Sequence, residues 1–380
     1  MKIVELATFA KYCGDAIYAR QLVDEMSKAN EVIVLSERNE FGLPDFQIDG
    51  VRSFQSWSRP ASAIDEVIRI VKKEQPDIVH MQYSYSYASG VRHKDLERLR
   101  KIAKVAMTIH SEPFAISPRD FMAKRFEKQN TQVRADLHLV HDDGGGEAVS
   151  HYESRGVVPV VPVPMGTPYL VNRMDAQEAK RILGINENAR MITCSGFYVP
   201  EKGPNELVEA FKLVKAQIPD AVLVFAGGQH PHFKGSEALL RNLVADSWAW
   251  FGKDSVRFVD THMNESEMRT VLFATDVFVL WGEVPVDLYS IAASTHRAPA
   301  VGKPIVLYDS FRVADFTAGV NCLKAKDIHG FAQCVIDILS DASLYDRISK
   351  GIDEFGRETS WTNVASTHVR YFRDLLDGRL

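Results

Sequence analysis

Short apolar runs of strand length alternate with helix-spaced apolar stripes along this chain, and the alternation stops once and then restarts. Residues 2–9, 31–35, 51–54, 77–81, 105–109, 137–140 and 158–163 read as strands. Between them lie helical stripes: Ile17, Leu22, Val23 and Met26; Ile64, Val67, Ile68 and Val71; Leu96, Leu99 and Ile102; and a longer segment around 121–132. Pro164-Met165-Gly166-Thr167-Pro168 breaks the pattern. Strands resume at 191–195, 221–226, 256–259, 277–280 and 304–307, with helices at 206–217, 236–246 and 266–274. Repeated βα units imply a parallel sheet with helices on both faces. A chain of 380 residues suits two such domains. The expected division is residues 1–168, residues 169–360, and a closing helix at 361–380 that packs back on the first domain. Its apolar stripe is Val364, Val369, Phe372 and Leu375.

Composition removes several function classes. The net charge is −5, with 46% apolar and 25% charged residues, so there is no overall nucleic-acid footprint, although 92–104 is locally basic. Cys13, Cys194, Cys322 and Cys334 are far apart and form no ligand pattern, which argues against structural zinc and for a reducing compartment. The sequence starts directly with a strand, and no apolar run is long enough for a bilayer. The expected location is the cytoplasm, with peripheral membrane contact at most. The first strand turn, Phe9-Ala10-Lys11-Tyr12-Cys13-Gly14, lacks G-x-G-x-x-G and so argues against a dinucleotide oxidoreductase.

The second half opens with Met191-Ile192-Thr193-Cys194-Ser195-Gly196-Phe197-Tyr198-Val199-Pro200-Glu201-Lys202-Gly203, then Leu207, Phe211 and Val214 at helical spacing. Strand, tight loop and helix place backbone N–H groups and a helix N-terminus at a strand end, where anions bind. Lys202 stands where an ammonium would meet that anion. An ordinary βα loop with a solvated lysine has the same local pattern.

Several motifs, in order, resemble glycosyltransferase family 4, a retaining family with the GT-B fold. Gly196-Phe197-x-x-x-x-Lys202-Gly203 with Leu207-x-x-Ala210-Phe211 resembles its G-R-x-x-x-x-K-G … L-x-x-A-F block. Asp77-Ile78-Val79-His80 and Thr108-Ile109-His110 are similar to its D-x-V-H and T-x-H strands. Val163-Pro164-Met165-Gly166-Thr167, Ala274-Thr275-Asp276-Val277-Phe278-Val279-Leu280 and Gly302-Lys303-Pro304-Ile305-Val306 resemble its linker, its A-D-V-F-V-L strand and its G-K-P-V-V. Two departures stand out. Phe197 replaces the family arginine, and the two positions of E-x7-E before G-K-P hold Tyr289 and Arg297.

The resemblance implies an α/β GT-B architecture: two doubly wound Rossmann-like domains facing across a cleft. It implies transfer of a sugar from a nucleotide sugar to an unidentified acceptor with retention, and no cofactor or metal. Its catalytic residues would be His110, as the histidine that contacts the reacting sugar, and Lys202, on the leaving diphosphate. Donor contacts would involve Gly14, Gly196, Phe197, Lys202, Thr261, His262, Glu283, Tyr289, Ser290, Ile291, Ala292 and Arg297. Backbone N–H groups over 290–293 would meet the diphosphate, and Glu283 or Asp287 would stand in for the absent acid. A catalytically silent GT-B protein that binds a nucleotide sugar or a partner chain is the alternative, supported by the absent acidic pair. A nucleotide-sugar epimerase of similar shape fits the Lys202 block and the segment from Trp361 less well.

Overall fold

The structure, a computed structural model, describes residues 1–9, 14–38, 48–58, 64–84, 91, 93–110, 134–141, 146–154, 156–229, 235–259, 263–282 and 291–380. It divides into two compact units, one of Met1–Gly166, Pro285–Ile291 and Trp361–Leu380, the other of Thr167–Val284 and Ala292–Ser360.

In chain order the first unit runs β1 (Lys2–Leu6), α1 (Gly14–Ser27), β2 (Glu31–Glu37), β3 (Arg52–Trp57), α2 (Asp65–Glu74), β4 (Ile78–Tyr83), α3 (His93–Arg100), β5 (Lys104–Ile109), β6 (Leu137–His141), α4 (Glu147–Ser154) and β7 (Val160–Val163). Its sheet has the order β3-β2-β1-β4-β5-β6-β7, parallel throughout. Strands buried on both faces need near-continuous apolar sequence, and β4 is buried along its whole length. The edge strand β3 differs from the expected 51–54. It continues through Gln55 and Ser56 to Trp57, and that polar pair masks a continuation whose last two residues are buried. Trp57 anchors it by donating from Nε1 to the Leu35 carbonyl (3.2 Å). The segment at 121–132 lies outside the described residues.

The second unit runs α5 (Ala176–Ile182), β8 (Arg190–Ser195), α6 (Pro204–Gln217), β9 (Ala221–Ala226), α7 (Ser236–Phe251), β10 (Val256–Val259), α8 (Glu265–Ala274), β11 (Val277–Leu280), α9 (Arg297–Val301), β12 (Ile305–Tyr308), β13 (Leu323–Ala325), α10 (Ile328–Ser340) and α11 (Ala342–Glu358). Its parallel sheet has the order β10-β9-β8-β11-β12-β13. Local signals mark the helix starts. Asn264 and Glu267 form a reciprocal capping box on α8, and Asp327 accepts from Gly330 N to start α10. Each such cap is worth about 1 kcal/mol.

The last helix, α12 (Trp361–Leu376), belongs to the first unit. It buries Trp361, Val364, Ala365, His368, Phe372 and Leu375. That stripe packs into the core formed by Tyr18, Ala19, Leu22 and Met26 of α1. Thr362 Oγ1 also donates to Glu25 (3.1 Å). Among the described residues no helix is long and apolar enough to cross a membrane.

Candidate active site

In the second sheet β8 has β9 on one side and β11 on the other, so the strand order reverses there. Ligands of open parallel sheets bind beyond the strand C-termini at such a point. The loop after β8 is held at its base. Gly196 N donates to the Ala226 carbonyl (2.9 Å), and Ser236 Oγ donates to the Tyr198 carbonyl (2.8 Å). A single 3₁₀ turn, Pro200–Lys202, follows. Gly203 ends it at φ 52° with its Cα against Trp281, where a Cβ would come within 2.3 Å of the indole. Only glycine fits that left-handed, crowded position. Pro204 then starts α6 as a first-turn proline.

This turn folds Lys202 back over Gly196. Lys202 Nζ donates to the Ser195 carbonyl at 3.3 Å, its only hydrogen bond among the described residues. Gly196 has φ 113°, and a Cβ there would lie 1.8 Å from that Nζ and 3.5 Å from Ser294 Cβ. Gly196→Ala is therefore expected to displace the ammonium while leaving its charge in the protein. Anion affinity should fall about tenfold, the size of one charge-assisted hydrogen bond. Titration of a nucleoside diphosphate into both proteins checks this, and equal affinities would show that the close approach has no role.

Arg297 and Arg312 add to the positive charge. Arg297 opens α9, directly after a 3₁₀ turn (Ala293–His296). His296 anchors that segment: its Nε2 donates to Asp315 Oδ2 (2.7 Å), and its Nδ1 accepts from Thr167 Oγ1 (2.9 Å). Arg297 Nη1 and Arg312 Nε are buried with no hydrogen-bond partner among the described residues. Burial, with smaller contributions from the Arg297 and Arg312 charges, pushes Lys202 down to about 8. A Cys194 thiolate would oppose this, but burial lifts that thiol to about 11, so it is uncharged near neutrality. Glu201 raises Lys202 only as the smallest contribution. Burial also pushes Arg297 down to about 10.

A pH dependence follows from these shifts. Below about 8 Lys202 is an ammonium, and its attraction for a diphosphate is present. As pH rises through about 8 that charge is lost, so anion affinity should fall. Stability of the ligand-free fold runs the other way. Between about 8 and the ordinary lysine value of 10.5 the unfolded chain holds the proton that the folded one has released. Stability attributable to Lys202 should therefore rise with pH over that window. Calorimetric titrations at pH 7 and 9 check the first trend. Affinity unchanged between them would show that Lys202 does not meet the anion as an ammonium.

The remaining donor-site expectations divide. Phe197 is half-buried at the loop, beside the glycine. The Ala292 N–H donates to the Arg312 carbonyl (2.9 Å). Ile291 is buried in the core of the first unit. Gly14 is the first residue of α1, and a Cβ there would meet nothing within 4 Å, so packing does not demand glycine. Thr261, His262, Glu283, Asp287, Tyr289 and Ser290 lie outside the described residues. Lys303 is held by the Tyr345 hydroxyl (3.5 Å) and by the field of Asp276, as a packing residue would be.

In the first unit His110 follows β5, near the strand-order reversal between β1 and β4. A hydrogen-bond chain sets its protonation. The Glu5 carboxylate only accepts, so it takes the Gln82 Nε2–H at Oε1 (2.6 Å) and the His80 Nδ1–H at Oε2 (2.8 Å). That turns Gln82 Oε1 toward His110, which donates from Nε2 (2.6 Å). His110 Nδ1 therefore carries the lone pair, and His141 Nε2 lies 3.3 Å from it. Burial, with a smaller contribution from His80, pushes His110 down to about 3, so the ring is neutral near pH 7. On the other side His80 Nε2 meets Thr108 Oγ1 (2.8 Å). His368 of α12 closes the chain. Its Nδ1 donates to the Val364 carbonyl (2.8 Å), leaving Nε2 to accept from Thr108 or Tyr18, each at 3.4 Å.

Sequence reasoning missed Glu5, Gln82, His141, His368 and Arg312. A signal existed for Glu5 and Gln82. Each interrupts an otherwise apolar central strand, and a polar residue in a doubly covered strand has to find a partner inside. No local pattern marked Arg312.

The model for glycosyl transferases group 1 matches residues 175–355, and that for glycosyl transferase 4-like proteins matches residues 13–140. A GDP-mannose-dependent monoacylated alpha-(1-6)-phosphatidylinositol monomannoside mannosyltransferase of Corynebacterium glutamicum is 24% identical over 173 residues. The match covers 44% of this chain but only 42% of that protein. A D-inositol 3-phosphate glycosyltransferase of Corynebacterium efficiens is 24% identical over 307 residues, 76% of this chain and 69% of that one. Among solved structures, sucrose-phosphate synthase from Thermosynechococcus elongatus superposes with a TM-score of 0.76 at 17% identity, covering 99% of both chains. HepE of Anabaena in complex with UDP-glucose gives 0.70 at 15% identity, covering 98% of this chain and 100% of that one. At these identities the structural likeness shows the fold.

Proposed function

We infer that this chain, which belongs to glycosyltransferase family 4 and has the GT-B fold, moves a sugar from a nucleotide-sugar donor to a glycosyl acceptor with retention at the anomeric carbon. The observation that carries this reading is the Lys202 ammonium folded over Gly196 at the C-terminal end of β8. In the reaction the bond between the anomeric carbon and the diphosphate oxygen breaks, and its electron pair stays on that oxygen. The acceptor oxygen forms the new bond on the same face, and its proton passes to the departing diphosphate. The leaving group is the larger electrostatic problem. One cation–phosphate pair about 4 Å apart is worth roughly 4 kcal/mol at an effective dielectric of about 20, before desolvation. Lys202 supplies that cation, and no metal ion is part of this proposal. His110 contributes as a neutral acceptor: a sugar hydroxyl donates to its Nδ1 in place of the long His141 contact. We place the reaction in the cytoplasm, with peripheral membrane contact at most.

The second reading, a silent binder, is favoured by Tyr289 and Arg297 at the acidic positions. One experiment separates the two. The protein is incubated with UDP- and GDP-linked sugars, with and without EDTA, and donor loss and product anomer are followed by NMR. Slow donor hydrolysis that survives EDTA, with any transferred sugar retained in configuration, is the expected result. Binding without turnover favours the second reading, and absence of binding removes both.

A further inference from the structure

The cluster at Gly196 holds more cation than Lys202 alone. Elsewhere in the same unit a buried cation is matched: Lys180 donates to Asp276 (2.7 Å) and to the Ala189 carbonyl (2.8 Å). Arg297 and Arg312 are treated differently, since each has a buried nitrogen without an acceptor among the described residues. A buried donor left unmade is costly, most of all when it carries a charge, and an incoming anion would remove that cost. Both arginines stand on segments that meet beside the β8 loop. The Arg312 carbonyl takes the Ala292 N–H at the foot of the turn leading to Arg297, and Ser294 of that turn would lie 3.5 Å from a Cβ on Gly196. Each is also near enough for its charge to act on Lys202. Arg297 moreover stands where the family pattern places an acid.

On the transferase reading above, we infer that Arg297 and Arg312 are further ligands of the diphosphate, and that the site is matched to this group after bond cleavage rather than before. In the donor both phosphates are esterified and carry one charge each. Cleavage leaves the electron pair of the broken bond on a phosphoryl oxygen and so adds a charge. Three fixed cations gain most from that added charge, which is how binding energy is directed to the transition state.

Calorimetry with inorganic pyrophosphate, with UDP and GDP, and with their nucleotide sugars tests this on the full chain. Wild type should bind the better nucleoside diphosphate about tenfold or more tightly than its sugar-linked form, and Arg297→Gln or Arg312→Gln should each lose about tenfold for pyrophosphate and nucleoside diphosphate. Those variants should also narrow the preference for the cleaved form. Their ligand-free melting temperature should hold or rise, because an unmatched buried charge is gone. Arg312→Lys should recover part of the affinity. If both glutamine variants keep wild-type affinity while Lys202→Ala loses it, the inference is overturned and the transferase reading stands. If Lys202→Ala also keeps it, both fall. Lost affinity with a lowered ligand-free melting temperature, not recovered by Arg312→Lys, marks a packing role and overturns the assignment.

Discussion

Lys202→Ala is expected to lower kcat/KM by about 100-fold or more, the usual cost of removing one preorganised donor aimed at developing charge. The ammonium sits against the Ser195 carbonyl and the Gly196 Cα, with no carboxylate paired to it among the described residues. Its attraction is therefore available to an incoming anion. Nucleoside diphosphate affinity should fall in parallel. The fold should survive, because Lys202 packs no core and a loop substitution shifts stability by only about 0.5 kcal/mol. Removing a cation whose burial already disfavours its charge is expected to cost little. Lys202→Arg should rescue only in part, since a planar fork does not reproduce a point charge. Donor hydrolysis and diphosphate titration, measured on folded protein, check all three statements. An unchanged rate and affinity in Lys202→Ala would reduce the β8 loop to a connection.

The second large effect concerns stability. Glu5 is fully buried and accepts from both His80 and Gln82. Glu5→Ala removes an acceptor from each of two buried donors, at about 1–3 kcal/mol each, so about 2–6 kcal/mol of stability should be lost. For a unit of this size that lowers the melting temperature by roughly 5–20 °C. Gln82 is also freed to turn its amide, and with it the tautomer of His110 is no longer imposed. Glu5→Gln keeps one acceptor and should lose less. Thermal unfolding followed by circular dichroism measures the difference. A melting temperature within a degree or two of wild type for Glu5→Ala would mean that water or rearrangement satisfies His80 and Gln82, and that the network does not hold His110.

Much of the architecture is legible in the sequence alone. The period of the apolar residues distinguishes helix from strand because it records which face of each element is buried, and burial of one face is a local property. The restart after Gly166 therefore marked a second doubly wound unit. Gly196 and Lys202 were identifiable as a strand-end loop for the same reason. Where local burial did not follow the pattern, the reading failed. The polar pair Gln55-Ser56 masks the last part of β3, whereas the apolar stripes of α10 and α11 follow the helical period and are legible in the sequence.

By itself, then, the sequence determined the two βα series, the strand ends at which a ligand can bind, and the family to which the motifs belong. What each polar group does was decided only by tertiary structure. Ala292, expected as a free donor, gives its N–H to Arg312, twenty residues along the chain, and Arg312 was unmarked. Glu5 is linked through His80 and Thr108 to His368 at the far end of the chain. The last of these links, between Thr108 and His368, spans 260 positions. Periodicity shows that a side chain is buried, but the partner of a buried charge or hydrogen bond is set by which strands and helices the fold brings together.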